Sequence, residues 1–285
     1  MKILILGVTG MLGSAMFNVL SGSGRHEVYG TLRSTAGKRY FDANCHARLI
    51  DGVDVLEHES LVRVLAVVRP DVVVNCVGLI KQLADAKDPL SALPINAMLP
   101  HRLANLCALI RARLVHISTD CVFSGRIGNY LESDVSDAQD LYGKSKYIGE
   151  IHDRPEVITL RTSIIGHELN SNYSLVDWFL SQYGEVKGFR KAVFSGLPTV
   201  VLADLIEKYV LPNPGLNGLY HVSADAIDKY SLLNIISEVY GKEITIVPDD
   251  TLKIDRSLDS SRFRVATGFK PPAWRELVTI MFERY

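Results

Sequence analysis

The chain has 285 residues, of which 47% are hydrophobic and 22% charged, a balance that builds one large core with room for a smaller lobe. Its net charge of −1 leaves no electrostatic footprint for nucleic acid or an anionic membrane surface. Four scattered cysteines without a C-x-x-C pair, and eight histidines without ligand spacing, argue against a disulfide framework and a metal site, and fit a reduced cytoplasmic protein.

Met1-Lys2 leads straight into Ile3–Leu6, an apolar run read as a buried strand and too short for a signal sequence or a membrane span. Further strands are expected at Val28–Leu32, Leu49–Val53, Val72–Cys76, Leu114–Ser118 and Val157–Leu160, with helical periodicity near 12–21, 57–68, 95–110 and 142–152 between them. This alternation predicts a Rossmann-type α/β fold, a doubly wound parallel sheet with helices on both faces. Residues 166–198 lose the rhythm and read as loop plus an apolar helix, Leu175–Tyr183. A helix at Val200–Leu211 and a strand at Leu219–Val222 return to the sheet. The rest is helix-rich, with Pro271-Pro272 before a last helix. The expected division is therefore a dinucleotide-binding domain of 1–165 and 199–224, and a small discontinuous lobe of 166–198 and 225–285.

Gly7-Val-Thr9-Gly10-Met11-Leu12-Gly13 directly follows the first strand and opens the first helix. Glycines there permit a tight turn and backbone approach to a pyrophosphate, which the helix N-terminus then receives. NAD binders usually end the second strand with a carboxylate. This chain reads Thr31-Leu32-Arg33-Ser34, so Arg33 is a candidate for a 2′-phosphate, favouring NADP(H) while NAD stays open; the alternative is a solvated surface arginine. Asp54-Val55 is placed at the adenine edge, with helix capping as the alternative for the aspartate. Cys76-Val77-Gly78 ends the fourth strand where the nicotinamide side of a dinucleotide passes.

The fifth strand ends His116-Ile117-Ser118-Thr119-Asp120, and Tyr142-Gly-Lys-Ser-Lys146 begins 23 residues after Thr119. Tyr142 and Lys146 are four apart and share a helix face, whereas Lys144 points elsewhere. A neighbouring ammonium is expected to lower a phenol pKa that is ordinarily about 10, giving a proton donor usable near neutrality. Thr119 can aim a hydroxyl at the same carbonyl.

Together, Ser118-Thr119-Asp120-Cys121-Val122-Phe123-Ser124-Gly125, Gly128-Asn129-Tyr130-Leu131-Glu132, Tyr142–Lys146 with Gly149-Glu150, Arg161-Thr162-Ser163 and Phe194–Thr199 resemble the extended short-chain dehydrogenase/reductase family, within it the dTDP-4-dehydrorhamnose reductase branch. The resemblance spans nearly the whole chain. It implies catalytic positions for Thr119, Tyr142 and Lys146, and NADPH-dependent reduction of the 4-keto group of a nucleoside-diphosphate 4-keto-6-deoxy sugar. Asn96 matches a family asparagine linked to proton relay, the alternative being a helix-start residue. The tail around Ser257–Arg264 and Gly268–Trp274 looks like a sub-branch of surface-polysaccharide pathways, whose members take UDP-linked N-acetylated as well as dTDP-linked sugars. Thr119 and Asp120 would then meet the sugar, and Arg262 or Arg264 its diphosphate, unless each is a solvated arginine. Leu79, Ile80, Lys81, Gln82, His167 and Trp178 are loop candidates for the pocket.

Two departures matter. Cys121 stands where the rhamnose reductases usually carry a tyrosine. Ala15 replaces a glutamate that some use in a metal-bridged dimer, so monomer and homodimer both stay open. Sugar-nucleotide dehydratases place Asp-Glu after the threonine, and this chain has Asp120-Cys121. A 4-epimerase is expected to hold NAD tightly. A non-catalytic reading also exists, because the regulatory subunit of methionine adenosyltransferase resembles this chain in fold and motifs.

Overall fold

The computed structural model describes residues 1–80 and 87–285, so Lys81 and Gln82 lie outside the described residues. Seven strands form one parallel sheet: β1 (Lys2–Leu6), β2 (Glu27–Thr31), β3 (Leu49–Ile50), β4 (Val72–Asn75), β5 (Arg113–Thr119), β6 (Val157–Thr162) and β7 (Gly218–His221). Their order is β7-β6-β5-β4-β1-β2-β3, with every neighbouring pair parallel. Residue alternation explains why the central strands are apolar throughout. Ile3 and Ile5 face one hydrophobic cluster, with Met16, Phe17 and Leu20 of the Met11–Gly22 helix. Leu4 and Leu6 face the other, with Leu61, Val64 and Leu65 of the His58–Val68 helix and Leu99 and Leu103. A sheet covered on both faces leaves no solvent side for polar residues.

Expected and observed elements agree closely in the first half and diverge later. β3 has two residues where five were expected, because Gly52 at φ +70° turns the chain away. The expected 95–110 helix starts earlier: Pro89–Ala92 runs through a π-helical segment, Leu93–Met98, into Leu99–Ile110. Pro94 and Pro100 each lack an amide, which loosens the α-helical ladder around the bulge. The helix expected at 142–152 is Leu141–Ile148.

The C-terminal lobe contains more strand than its sequence suggested. Glu185–Phe189 pairs with Thr245–Asp249, and Ala192–Phe194 is flanked by Ile227–Asp228 and Ile254–Asp255. These pairings tie 185–194 to 227–255 across a long sequence gap, and the helices Leu175–Ser181, Lys229–Tyr240, Ser261–Thr267 and Trp274–Glu283 complete the lobe. Among the described residues no helix is long and apolar enough to cross a membrane.

Candidate active site

The sheet order reverses between β1 and β4, which opens a crevice at their carboxyl ends. The glycine turn sits there. Gly7 adopts φ +81°, and a side chain on it would press within 2.8 Å of Val77 Cγ2, so the β1 and β4 ends are in contact. A Cβ on Gly13 would overlap the Gly7 carbonyl, so glycine lets the Met11–Gly22 helix start directly against the turn. Gly10 precedes that helix without a side-chain cap, leaving its first amides without a side-chain acceptor. Thr9 and Met11 are partly exposed beside it and Leu12 is buried. This cradle fits a dinucleotide pyrophosphate.

At the end of β2, Arg33 is exposed and makes no hydrogen bond or ion pair among the described residues. Asp51, just beyond β3, is engaged by Thr35 and by Lys38 at 3.3 Å. Asp54 behaves as a turn residue: its Oδ1 accepts the Leu56 amide at 2.9 Å. Val55 is buried in the hydrophobic cluster beneath the His58–Val68 helix.

Thr119, Tyr142 and Lys146 converge at the carboxyl end of β5. Asp140 caps the Leu141–Ile148 helix by accepting the Gly143 amide at 2.8 Å. Gly143 lets that helix press onto the Asp120–Val122 turn, since a Cβ there would overlap the Cys121 carbonyl. The close approach brings the Tyr142 phenol beside the Thr119 hydroxyl, which favours its ionised form. Lys144 is exposed and Lys146 buried, as their spacing requires.

The electrostatics differ from the expectation drawn from spacing. Lys146 was expected to lower the Tyr142 pKa. Instead burial, reinforced by Cys121, raises the phenol above its ordinary value. The Lys146 ammonium donates to the Ile117 carbonyl at 2.8 Å. Burial brings this lysine down to about 8, opposed by Glu150 and Cys76. Gly78 lies on the same spot, 3.9 Å from Nζ measured from a Cβ built on it. Burial also pushes the neighbouring Cys76 thiol up to about 12.

A polar scaffold fixes these groups. Asn96, in the π-helical segment, accepts the Leu79 amide at 2.9 Å and donates to the Leu79 carbonyl and to Ser145 Oγ, both at 3.3 Å. It thus ties the chain after β4 to the tyrosine helix. Glu150 accepts two bonds from Arg161 (2.7 and 2.6 Å) and one from Ser118 (2.6 Å). Arg161 also donates to His221 Nε2 at 3.2 Å, and His221 Nδ1 donates to the Tyr130 carbonyl at 3.0 Å, a tautomer assigned from these partners. Burial and Arg161 hold His221 down at about 4, so it is neutral at pH 7.

The second lobe contributes two residues that the sequence did not single out. Arg256 donates from Nε to the Phe123 carbonyl at 2.9 Å and reaches Cys121 Sγ at 3.7 Å. Lys229 opens the Lys229–Tyr240 helix and lies over the Phe194 ring, 3.7 Å from its centroid. Both act on buried Asp120, whose carboxyl is raised by burial against the pull of Arg256, Cys121, Thr119 and Lys229. No local pattern marks either residue, because the lobe's strand pairings bring them here. By contrast, Arg262 is held by the Leu219 carbonyl (2.9 Å) and the Tyr220 ring, in a cleft with Glu132 and His152 beside β7. Arg264 pairs with Asp225 at 3.5 Å. Arg262 and Arg264, the expected diphosphate contacts, thus each have partners within the chain, while the cations gathered beside Asp120 are Lys229 and Arg256. His167 is tied to Asp177 (2.6 Å) and Tyr240 (2.7 Å) and stacks on Tyr285, a scaffold rather than an open ligand position.

A Rossmann-type sheet with a glycine turn at its switch point, and a threonine–tyrosine–lysine group one strand away, defines the short-chain dehydrogenase/reductase class of nucleotide-binding proteins. Within it the chain belongs to the RmlD substrate-binding domain family, whose model matches residues 1–285. It is 24% identical to a dTDP-4-dehydrorhamnose reductase of Aggregatibacter actinomycetemcomitans, over 96% of each chain. It is 26% identical to the methionine adenosyltransferase 2 subunit beta of Rattus norvegicus, over 84% of this chain and 72% of that protein. Its fold matches the crystal structure of dTDP-4-dehydrorhamnose reductase from Bacillus anthracis in complex with NADP, with a TM-score of 0.80, 23% identity, and coverage of 99% and 98% of the two chains.

Proposed function

We propose that this protein reduces the 4-keto group of a nucleoside-diphosphate 4-keto-6-deoxy sugar with NADPH, the sugar being dTDP-4-dehydrorhamnose or a UDP-linked N-acetylated analogue destined for surface polysaccharide. The carrying observation is the gathering of the Thr119 and Tyr142 hydroxyls at the end of β5, beside Lys146 and the switch-point crevice. Bound NADPH would supply the hydride to the ketone carbon. The carbonyl electron pair then moves to oxygen, and Tyr142 protonates that oxygen to give the alcohol. A phenol raised by burial keeps its proton until an alkoxide develops nearby. Thr119 orients the same oxygen. Lys146, still largely protonated at pH 7, provides the positive charge that offsets the resulting phenolate. Unengaged Arg33 favours a 2′-phosphate, and Asp51, already held by Thr35 and Lys38, is not free to select a ribose hydroxyl. Elimination of water would need a second acid beside Asp120, and Cys121 at that place favours reduction.

The test is NADPH oxidation with a panel of dTDP- and UDP-linked 4-keto sugars. Tyr142→Phe is expected to lower kcat by about 10²–10⁴-fold while NADPH affinity, read by nucleotide fluorescence, stays within about twofold. Turnover of that variant near the wild-type level removes the assignment. The similarity to the methionine adenosyltransferase subunit supports a second reading, a regulatory NADP-binding protein. Tight NADPH binding without oxidation by any sugar of the panel would favour it.

A further inference from the structure

Lys229 is placed at a cost that the fold itself does not recover. Its side chain is half-buried, and desolvation brings the ammonium down to about 8 against the opposing pull of Asp120 and Cys121. It is the first residue of a 12-residue helix, where the macrodipole disfavours a cation. The carboxylate beside it in sequence, Asp228, is turned away to cap that helix, accepting the Ser231 amide at 2.9 Å and its hydroxyl at 2.6 Å. Among the described residues Lys229 has no hydrogen bond or ion pair, and its single close partner is the Phe194 ring. Phe194 is in turn fixed by Trp274 and by the pairing of Ile227 with Phe194.

Across from it stands Asp120, one residue beyond Thr119, buried and accepting the Thr119 hydroxyl at 3.2 Å. The two charges attract, yet they do not close into an ion pair. One belongs to the sheet and the other to the C-terminal lobe. We propose that Lys229 and Asp120 form a clamp for the sugar ring, gripping between them the substituent on the carbon next to the reacting ketone. That group must offer both a donor to the carboxylate and an acceptor to the ammonium, which a hydroxyl or an acylamino group does. The clamp rests on the sugar-nucleotide reading above, and it assigns Lys229 to the sugar rather than to the diphosphate.

The experiment uses the full chain saturated with NADP⁺ and titrates it calorimetrically with dTDP-rhamnose and a UDP-linked N-acetylated 6-deoxy sugar, with dTDP and UDP as sugar-free controls. Lys229→Met is expected to weaken the sugar nucleotide that the wild type binds by at least about tenfold and its sugar-free control by about twofold at most. Its melting temperature should be no lower than wild type, because methionine fills the Phe194 contact without a buried charge. Lys229→Arg should recover part of the affinity. Equal weakening of sugar nucleotide and control would make Lys229 a diphosphate ligand and overturn the clamp. So would unchanged affinity, or a fall of several degrees in melting temperature, which marks a structural lysine. Wild type that binds these sugars but oxidises no NADPH with any 4-keto sugar defeats the reductase reading alone. Wild type that binds none of them defeats both.

Discussion

Glu150 carries more of the site than its position just beyond the Leu141–Ile148 helix suggests. Burial alone would raise its carboxyl, yet hydrogen bonds from Arg161, His152 and Ser118 hold it below the ordinary value. An ionised Glu150 is the strongest charge opposing the depression of Lys146. Glu150→Gln leaves the Arg161 guanidinium buried without its counter-ion, and is expected to destabilise the fold by about 3–5 kcal/mol, measured by urea unfolding. A loss under 1 kcal/mol would show that the pair adds little. The pH dependence of Lys229 has a defined sign. Its folded pKa of about 8 lies below the ordinary lysine value of 10.5, so the unfolded chain binds the extra proton between those values. The penalty is fully present below pH 8 and fades as pH rises toward 10.5. The melting temperature of Lys229→Met should therefore exceed wild type at pH 7, with the gap closing by about pH 10. A constant gap across that range would contradict the buried-ammonium argument.

Among the elements, the turn from β1 into the Met11–Gly22 helix is the most tightly determined. Gly13→Ala forces a Cβ into the Gly7 carbonyl and must push the helix off the strand. The expected result is a loss of about 1–3 kcal/mol together with NADPH binding weakened by at least about tenfold; wild-type affinity with wild-type stability would mean the turn relaxes freely. This element was legible because its glycines, apolar strand and helix are contiguous. The same holds for the tyrosine helix, where Gly143 and Asp140 act within a few residues of Tyr142. Length was harder to read. β3 stops after two residues at Gly52, and the 89–110 helix contains a π-helical segment that periodicity treats as ordinary helix. The strands Glu185–Phe189 and Thr245–Asp249 escaped notice because each is short and partly exposed, and each exists through the other.

At the scale of the molecule, two layers of helix hold a sheet whose reversal point gathers the Gly7 turn, the Cys76–Gly78 segment and the tyrosine helix. A dinucleotide seated there should stabilise the whole domain. NADPH at about one hundred times its Kd is expected to add about 2.7 kcal/mol. With Arg33 reading the 2′-phosphate, NADH at equal concentration should raise the melting temperature less. Equal shifts from the two would leave Arg33 as a surface residue. The sequence by itself determined the parallel sheet, the nucleotide turn and the Thr119–Tyr142–Lys146 group, because each depends on residues close together in the chain or on simple alternation. Tertiary structure alone decided what faces Asp120. Lys229 and Arg256 stand 109 and 136 residues beyond it, and reach it only through the Ala192–Phe194, Ile227–Asp228 and Ile254–Asp255 pairings. It also decided the charge balance of the site, since burial raised Tyr142 and lowered Lys146 where spacing had suggested only their mutual attraction.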